Sequence, residues 1–391
     1  MKYKISTAAL IYVTFVTVSH AQSSVTLYGL IDAGITYVRG GDENAWQMRS
    51  GAVNGSRWGL RGSEDLGGGL KAIFTLENGF SITNGSASQS GRMFGRQAFV
   101  GVASDRYGAL TLGRQYDSVV DYLAPLSITG TQFGGTTAAH PFDNDNLNNS
   151  IRFNNTVKYA SIDYAGLRFG ATYSFSNSTE FANNRAYSFG ASYVWSGFTV
   201  AAGYLQLNND ITSTVFSNNG PSSSASGAQT GEWTFLAGRQ RTFGGGLSYV
   251  YGPLTAGLVY TQTNLSDALG GGVSSGASGT SAGIAFRANS ARFQNFEGNV
   301  RYALTPAITL AAAYTYTRSD FGGGVAPIFN TVSAQADYVV SKRTDVYLQG
   351  NYQHVSRNFG NVPAYLNGLP ATSNTTPEKQ GAVTIGMRHR F

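Results

Sequence analysis

The chain has 391 residues and a formal net charge of +6, although only 12% of its residues are charged. It contains 50 glycines, 23 tyrosines and 23 phenylalanines but no cysteine, which excludes a disulfide scaffold and thiol chemistry. After the N-terminal segment, no apolar run approaches the roughly 20 residues that a transmembrane helix needs. This composition indicates a β protein in which apolar residues alternate with small polar ones.

Residues 1–21 have the pattern of a secretory signal peptide. Lys2 and Lys4 precede a mostly apolar segment, which ends at small residues suited to cleavage after Ala21. An N-terminal membrane anchor is the alternative, and the shortness of the apolar run disfavours it. We therefore expect a cleaved signal peptide at 1–21 and one mature domain over residues 22–391.

From Val25 onward, apolar and polar residues alternate with the period of two that predicts β-strands. In SIRFNNTVKY, Ile151 and Phe153 share one parity, while Arg152 and Lys158 take the other. The alternation is least regular in 91–103, where it leaves the facing of the side chains open. The predicted strands are 25–39, 56–64, 70–77, 91–103, 109–115, 150–159, 167–175, 187–193, 198–206, 242–251, 254–263, 293–304, 308–317, 332–340, 344–354 and 381–391.

The connections between these strands alternate strictly between tight and long. The tight ones are 65–69, 105–107, 161–166, 195–197, 252–253, 305–307 and 341–343. The long ones are 40–55, 81–90, 116–149, 176–185, 207–241, 264–292, 318–331 and 356–380. An up-and-down membrane barrel with short periplasmic turns and long external loops requires this alternation, whereas a soluble sandwich or propeller does not.

The two faces of the predicted strands support the same architecture. The polar parity is largely Gly, Ser, Thr and Asn with scattered Arg, which suits a water-filled lumen, while the apolar parity suits lipid. Cross-strand aromatic pairs in a soluble sheet are the alternative explanation of the many rings. The chain ends inside its last strand at Phe391, which allows that strand to pair with the first. We predict an all-β fold, a 16-stranded antiparallel transmembrane β-barrel.

Residues 116–149 form a long polar connection between two predicted strands. Loops of this length in a compact domain are usually functional or disordered. We interpret it as the third external loop, folded into the mouth of the barrel so that it narrows the opening. Val119, Val120 and Leu123 suit a short helical turn packed against the wall. Asp143 and Asp145 suit either a bound cation or, preferably, turns that tie the loop to the wall.

Motifs for catalysis or cofactor binding are weak. The segment 272–276 matches a nucleophile elbow, but in a Gly/Ser-rich loop such a match arises from composition. His20, His140, His354 and His389 are too scattered for a metal site, and no phosphate-binding Gly-Lys-Ser/Thr motif occurs. We expect no enzyme activity, cofactor, metal or nucleic-acid partner.

Six segments resemble one known family in order and spacing over the whole predicted mature chain. They are SSVTLYGLIDAG at 23–34, SRWGLRGSEDLGGGLKAIFTLE at 56–77, GRQAFVGV at 95–102, YGALTLGRQYDSVVDYL at 107–123, AHPFDNDNLNNSIRFNNTVKY at 139–159 and VTIGMRHRF at 383–391. They resemble the general diffusion porins of Gram-negative outer membranes, of the beta-proteobacterial type. The resemblance implies a 16-stranded trimeric barrel with an inward-folded third loop. It also implies contact with outer-membrane lipid and lipopolysaccharide, and recognition of Phe391 by the barrel-assembly machinery.

The resemblance also assigns candidate residues to a channel constriction. Arginines of anion-selective members map onto Arg57, Arg96 and Arg152, and an acidic lumen residue maps onto Glu77. From the sequence alone, these arginines lie on or near the polar parity of strands that flank the long connection. Asp117 and Asp121 would oppose them from the loop, although an acidic residue there would equally serve the loop's own helical turn. Secondary basic residues of the lumen are Arg61, Lys71, Lys158, Arg168 and Arg301.

The sequence thus predicts a trimeric porin of the Gram-negative outer membrane that passes small hydrophilic solutes and ions by diffusion, with weak anion preference. One alternative keeps the barrel but makes it a substrate-specific channel for an organic acid or phosphate. Another is a barrel that acts as an outer-membrane enzyme or adhesin, and the lack of a credible catalytic set disfavours the enzyme.

Overall fold

The computed structural model describes residues 24–40, 43–209, 216–217, 220–221, 227–229, 232, 234–271, 284–286, 288–357, 362–369 and 377–391. The predicted signal peptide at 1–21 and the segment 272–276 lie outside these residues. Among the residues described, no helix is long and apolar enough to cross a membrane.

Sixteen strands within the described residues form one closed antiparallel barrel, as predicted. In chain order they are Ser24–Gly40, Arg57–Gly67, Leu70–Gly79, Gln97–Ser104, Gly108–Gln115, Phe153–Ala160, Leu167–Ser174, Arg185–Trp195, Phe198–Asn208, Phe235–Tyr251, Leu254–Gly271, Ser290–Ala303, Ile308–Asp320, Ile328–Val339, Thr344–Ser356 and Lys379–Arg390. Short strands at Glu43–Ser50 and Ile284–Ala285 extend the sheet.

The barrel closes where the last strand meets the first. Leu30 lies opposite Arg390 and Gly40 opposite Gln380, so this pairing runs through most of both strands. Backbone hydrogen bonds of 2.9 and 3.1 Å join Gly29 and Phe391 in both directions. A Cβ atom at position 29 would overlap the Phe391 ring, so the close approach depends on glycine. Closure leaves no strand edge unpaired in lipid, which a membrane barrel requires.

The alternation of side chains gives the barrel an apolar outer face and a polar inner one. Leu258 is 65% exposed, whereas its neighbour Val259 is 3% exposed beneath the long loop. In the last strand, Ile385 is 63% exposed while Thr384 and Arg388 are fully buried. The apolar parity therefore faces outward, as the sequence pattern predicted, and about 25 cal/mol is gained for each Å² of it that lipid removes from water.

Several predicted strand bounds were wrong. The strand predicted at 91–103 begins only at Gln97, because Ser88–Gly91 makes a helical turn in which Gln89 and Ser90 have positive φ; Arg96 therefore precedes the strand. Two strands extend further than predicted, to Phe235–Tyr251 and Leu254–Gly271, because their polar outer ends still pair in register.

The predicted loop at 40–55 also contains regular structure. Glu43–Ser50 forms a strand that pairs with the first strand, with Trp46 opposite Tyr37 and Arg49 opposite Gly34. The Trp46 side chain is exposed on the outside and Arg49 is buried on the inside, so this segment has the same alternation as the wall. The strand Glu43–Ser50 therefore extends the barrel wall along the first strand and places Arg49 on its inner face.

The long loop, residues 116–152, carries helical turns at Val119–Leu123 and Ala124–Leu126. Val119 and Leu123 are fully buried in one apolar cluster with Leu205, a residue of the barrel wall. The packing predicted for these two residues is confirmed, while Val120 is only partly buried.

Candidate functional site

Hydrogen bonds join the long loop to inward-facing side chains around the barrel. The backbone N–H of Ser118 donates to the Ser188 hydroxyl at 2.8 Å. On another part of the wall, Gln349 donates its side-chain amide to the Gly134 carbonyl at 2.7 Å. These contacts come from widely separated strands, so the loop is tied to more than one part of the barrel wall.

One attachment is a fully buried cluster around His140, which we call the latch: His140, Asp145 and Glu297. His140 Nδ1 lies 2.6 Å from Asp145 Oδ2, and Nε2 lies 3.0 Å from Glu297 Oε2 on the wall. Glu297 also accepts hydrogen bonds from the Ser127 hydroxyl at 2.6 Å and the Ile128 backbone N–H at 2.7 Å. One wall carboxylate thus fastens two separate parts of the loop.

The charge state of the latch follows from its neighbours. Burial by itself lowers the pKa of His140, but the charge and hydrogen bond of Asp145, together with Glu297, outweigh it and raise the pKa to about 10. His140 is therefore a cation at neutral pH, placed between two carboxylates. No local sequence pattern indicates this role, because Glu297 lies 157 positions away.

The acidic residues of the loop mostly serve its own fold. Asp143 accepts the backbone N–H groups of Asn148 at 2.9 Å and Ser150 at 3.0 Å, which forms the kind of turn that was the preferred interpretation. The Thr261 hydroxyl of the wall donates to Asp145 at 2.5 Å. Among the described residues, no group of three or more His, Cys, Asp or Glu side chains is arranged to hold a metal ion.

Asp117 and Asp121 occupy different environments. Asp117 is fully buried and accepts the Val119 N–H at 2.7 Å, so it caps the helical turn in the way the alternative interpretation described. Burial raises the pKa of Asp117 to about 6. Asp121 pairs with Lys158 at 2.5 Å, and its side chain is 27% exposed.

An open cavity of about 620 Å³ lies between the long loop, the Glu43–Ser50 strand and the wall. Four arginines and two glutamates are its charged lining residues among those described, so two positive charges have no counterpart in the lining. The charged lining residues are Arg49, Arg57, Arg96, Arg152, Glu77 and Glu232. The cavity therefore brings together the three arginines and the glutamate that the sequence singled out, with two more residues that it did not.

Glu77 links two of the predicted arginines. Arg96 Nε donates to Glu77 Oε1 at 2.6 Å, and Arg57 Nε lies 3.8 Å from Oε2. The Tyr28 hydroxyl also donates to Oε2, at 2.9 Å. The Arg57 side chain is 29% exposed and that of Arg96 11%, so Arg57 is the more accessible of the two to a solute.

Arg152 belongs to a second charged group in the cavity lining. It ends the long loop just before the strand Phe153–Ala160, and it shares Glu232 with Arg114. Its guanidinium lies over the Tyr116 ring, 5.8 Å from the centroid. Sequence reasoning missed Arg114 and Glu232, although Arg114 lies within GRQYDS, directly before the long loop.

Arg49 is the other lining residue that sequence reasoning missed. Its Nη1 donates to the Thr137 hydroxyl of the long loop at 2.9 Å. Within the part of the chain that the structure describes, Arg49 makes no ion pair with a carboxylate. Its alternation with Trp46 and Met48 was the available signal, but the segment was taken as loop.

The secondary basic residues lie apart from the cavity lining. Lys71 and Arg168 pair with turn aspartates at the tight-turn end, Asp105 at 3.0 Å and Asp163 at 3.1 Å, and these side chains are substantially exposed. The Arg61 guanidinium lies 5.4 Å from the centroid of the Tyr28 ring. Lys158 faces Asp121 as described above, and Arg301 is on the strand Ser290–Ala303, two residues from its end at a tight turn.

Comparison with known proteins fits this geometry. A family model described as Gram-negative porin matches residues 6–358. The chain belongs to the Gram-negative porin family. An outer membrane porin protein of Bordetella pertussis is 32% identical over 419 residues, covering 98% of this chain and 98% of that protein. Outer membrane porin protein 32 of Delftia acidovorans is 38% identical over 168 residues, covering 40% of this chain and 45% of that protein.

Solved porins share the fold. An anion-selective porin from Comamonas acidovorans superimposes with a TM-score of 0.70 at 21% identity, covering 95% of this chain and 100% of that one. A trimer form of OmpT from Vibrio cholerae gives 0.62 at 16% identity, covering 94% and 99%. Family and fold together confirm the prediction of an outer-membrane porin.

Proposed function

We propose that this porin is a passive diffusion channel for small hydrophilic solutes and ions with a weak preference for anions. The long loop folds into the lumen and narrows it, and solutes pass through the arginine-lined cavity beside the loop. The observation that carries the proposal is the lining of that cavity, in which four arginines face two glutamates. No covalent step is involved, so size exclusion and electrostatic bias make up the mechanism.

The charge distribution explains why the preference is for anions and why it is weak. Rings of basic side chains in a narrow passage raise the local concentration of anions and lower that of cations. Glu77 and Glu232 offset part of the arginine charge, so the bias is modest. The Comamonas porin described as anion-selective has the same fold, which is consistent with this reading.

Within this proposal the three predicted arginines differ in how strongly they act on permeating ions. Arg57 is the most exposed and meets permeating ions most directly, whereas Arg96 and Arg152 are held against carboxylates. Lys158 and Asp121 form a closed pair near the loop's helical turn and contribute little net field. Asp117 is left out of the filter because its carboxylate is buried and used as a cap.

The test is single-channel recording in planar bilayers under a potassium chloride gradient. Arg57→Ser, Arg96→Ser and Arg152→Ser are compared with the wild type and with Arg168→Ser, a matched loss of one positive charge at the tight-turn end. We expect Arg57→Ser to lower the anion-to-cation permeability ratio about twofold, as one charge in a screened aqueous passage would. Arg168→Ser should leave the ratio unchanged. Unchanged ratios in all three cavity variants would remove these arginines from the filter.

The same recordings address the substrate-specific alternative. A channel built for phosphate or an organic acid would bind its substrate in the cavity, so low concentrations of that anion would block the chloride conductance. A diffusion channel shows conductance that rises in proportion to salt and no such block. Saturable block by one anion would replace the general diffusion function with the specific one.

Assembly forms a further part of the proposal. We propose cleavage after Ala21, a homotrimer surrounded by outer-membrane lipid and lipopolysaccharide, and recognition of Phe391 by the barrel-assembly machinery. The solved OmpT trimer form offers a precedent for the trimer within the fold, and Phe391 takes part in the closure of the barrel through its backbone bonds to Gly29. Mass spectrometry of the exported chain, with Gln22 expected first, and light scattering of the purified porin check the first two points.

A further inference from the structure

The two carboxylates that pair with arginines of the cavity come from different parts of the molecule. Glu77 is on the wall itself, in the strand Leu70–Gly79, 19 positions from Arg96. Glu232 comes from the connection between the strands Phe198–Asn208 and Phe235–Tyr251, 80 positions from Arg152 and 118 from Arg114. An external connection therefore supplies part of the charge of an internal filter.

Both oxygens of Glu232 are engaged by arginines. Oε2 accepts from Arg114 Nη2 at 2.5 Å and from the backbone N–H of Arg152 at 3.3 Å. Oε1 accepts from Arg152 Nη1 at 3.3 Å. The Glu232 side chain is 2% exposed, so water screens these contacts weakly. One carboxylate thus offsets one of two adjacent positive charges at the edge of the cavity.

The chain beside Glu232 is fastened to the barrel at several points. Asn184 donates to the Gln229 carbonyl at 2.9 Å and accepts the Gln229 N–H at 3.0 Å. The Gln229 side chain then donates to the Glu232 carbonyl at 2.6 Å. The Asn154 N–H donates to the carbonyl of Ala228 at 2.9 Å. Because these bonds tie the chain to the strand Phe153–Ala160 and to Asn184, directly before the strand Arg185–Trp195, Glu232 is positioned against the arginines by the fold.

We infer that Glu232 is a specificity-determining residue of the channel, which lowers its anion preference by neutralising the Arg114 and Arg152 pair from an external connection. The inference rests on the proposed function, since it assigns a role within the same permeation path. Removing the carboxylate charge leaves two guanidinium groups without their counter-charge at the cavity. A carboxylate here opposes the three predicted arginines, so its loss and theirs must shift selectivity in opposite directions.

The experiment compares Glu232→Gln with Glu180→Gln by reversal potential under a potassium chloride gradient. Glu180 is an exposed carboxylate on another external connection, so its variant makes the same change in net charge outside the cavity lining. We expect Glu232→Gln to raise the anion-to-cation permeability ratio about twofold and Glu180→Gln to leave it at the wild-type value. Glu232→Asp, which keeps the charge, should stay close to the wild type.

Arg57→Ser, recorded in the same series, tests the proposed channel function separately from the inferred role of Glu232. If Arg57→Ser lowers the ratio while Glu232→Gln leaves it unchanged, the inference is wrong and the proposed function stands. If neither variant moves the ratio, the proposed function itself fails. A ratio that rises equally in Glu180→Gln also overturns the inference, because surface charge would then explain the effect.

A variant that removes both charges covers the case in which Glu232→Gln alone does not form channels. Arg114→Gln with Glu232→Gln removes one positive and one negative charge together and leaves no unpaired charge between these two positions. The inference predicts channels with a permeability ratio near the wild-type value, and adding Arg152→Ser to this pair should then lower the ratio about twofold. A doubly substituted channel whose ratio departs strongly from the wild type contradicts it.

Discussion

Two charged regions of this barrel both combine cationic side chains with carboxylates, but they differ in how far they are closed. The latch of His140, Asp145 and Glu297 is fully closed: the side chains of His140 and of both carboxylates are 0% exposed. The cavity lining is less closed, and its most accessible arginine, Arg57, is 29% exposed. Both regions lie along the long loop, one where the loop is fastened to the wall and the other where a cavity separates the loop from the wall.

The difference lies in how charges are balanced. In the latch, a single cation is enclosed by two carboxylates, which also accept hydrogen bonds from the loop and the wall, including those of Ser127 and Thr261. In the cavity, arginines outnumber carboxylates, and Arg57 is partly exposed. We expect buried charge that is fully hydrogen-bonded to hold the structure together, and partly exposed charge to act on passing ions. The predictions below test this division.

The largest expected effect comes from breaking the latch. His140→Gln leaves Asp145 and Glu297 buried without their counter-charge, which should cost about 3–5 kcal/mol of unfolding free energy. Urea unfolding of the porin in detergent micelles measures the loss. The matched control is His389→Gln, at an exposed histidine on the last strand, where the change should stay within about 0.5 kcal/mol. Equal losses in the two variants would show that the latch has no special weight.

The latch should also respond to alkaline pH. The folded-state pKa of His140, about 10, lies above the ordinary histidine value near 6.5. Its contribution to stability is therefore fully present below about pH 6.5 and disappears as the pH rises through about 10. Unfolding the wild type and His140→Gln in parallel at pH 6, 9 and 11 should reveal a gap that narrows with pH. A gap of constant size would contradict protonation of His140 in the folded porin.

A smaller effect is expected at the start of the loop's helical turn. Asp117→Ala removes the acceptor of the Val119 and Val120 N–H groups, which should cost about 1 kcal/mol, the usual value for a lost N-cap. The permeability ratio should remain that of the wild type, because Asp117 is closed off from the cavity. A changed anion-to-cation permeability ratio with unchanged stability would show that Asp117 acts on permeating ions. It would contradict the division between the two regions.

The parts of the molecule that sequence reasoning found are those set by local pattern. Alternation along each strand and the lengths of the connections were sufficient for a sixteen-stranded barrel, and the family resemblance drew attention to Arg57, Arg96 and Arg152, which line one cavity. Bounds failed where local geometry overrode the pattern, as at Gln89 and Ser90, whose positive φ delays the strand that begins at Gln97.

The ion-pair partners of Arg114 and His140 could not be predicted from the sequence, for a different reason. Glu232 meets Arg114 across 118 positions and Glu297 meets His140 across 157, so nothing in a local window connects them. A scattered histidine looked unimportant because its significance depends on the wall residue that the closed barrel brings beside it. Charge pairing in a barrel is decided by strand order and loop path, which single-sequence patterns do not contain.

The central claim is that ions pass through the arginine-lined cavity beside the long loop, and the absence of cysteine from the sequence allows a direct test. A cysteine introduced as Arg57→Cys is recorded in single channels while a sulfonate-bearing thiol reagent is added. We expect a stepwise fall in conductance and a further fall in anion preference as the negatively charged group enters the passage. Complete modification, verified by mass spectrometry, with conductance and selectivity unchanged would show that the ions take another route.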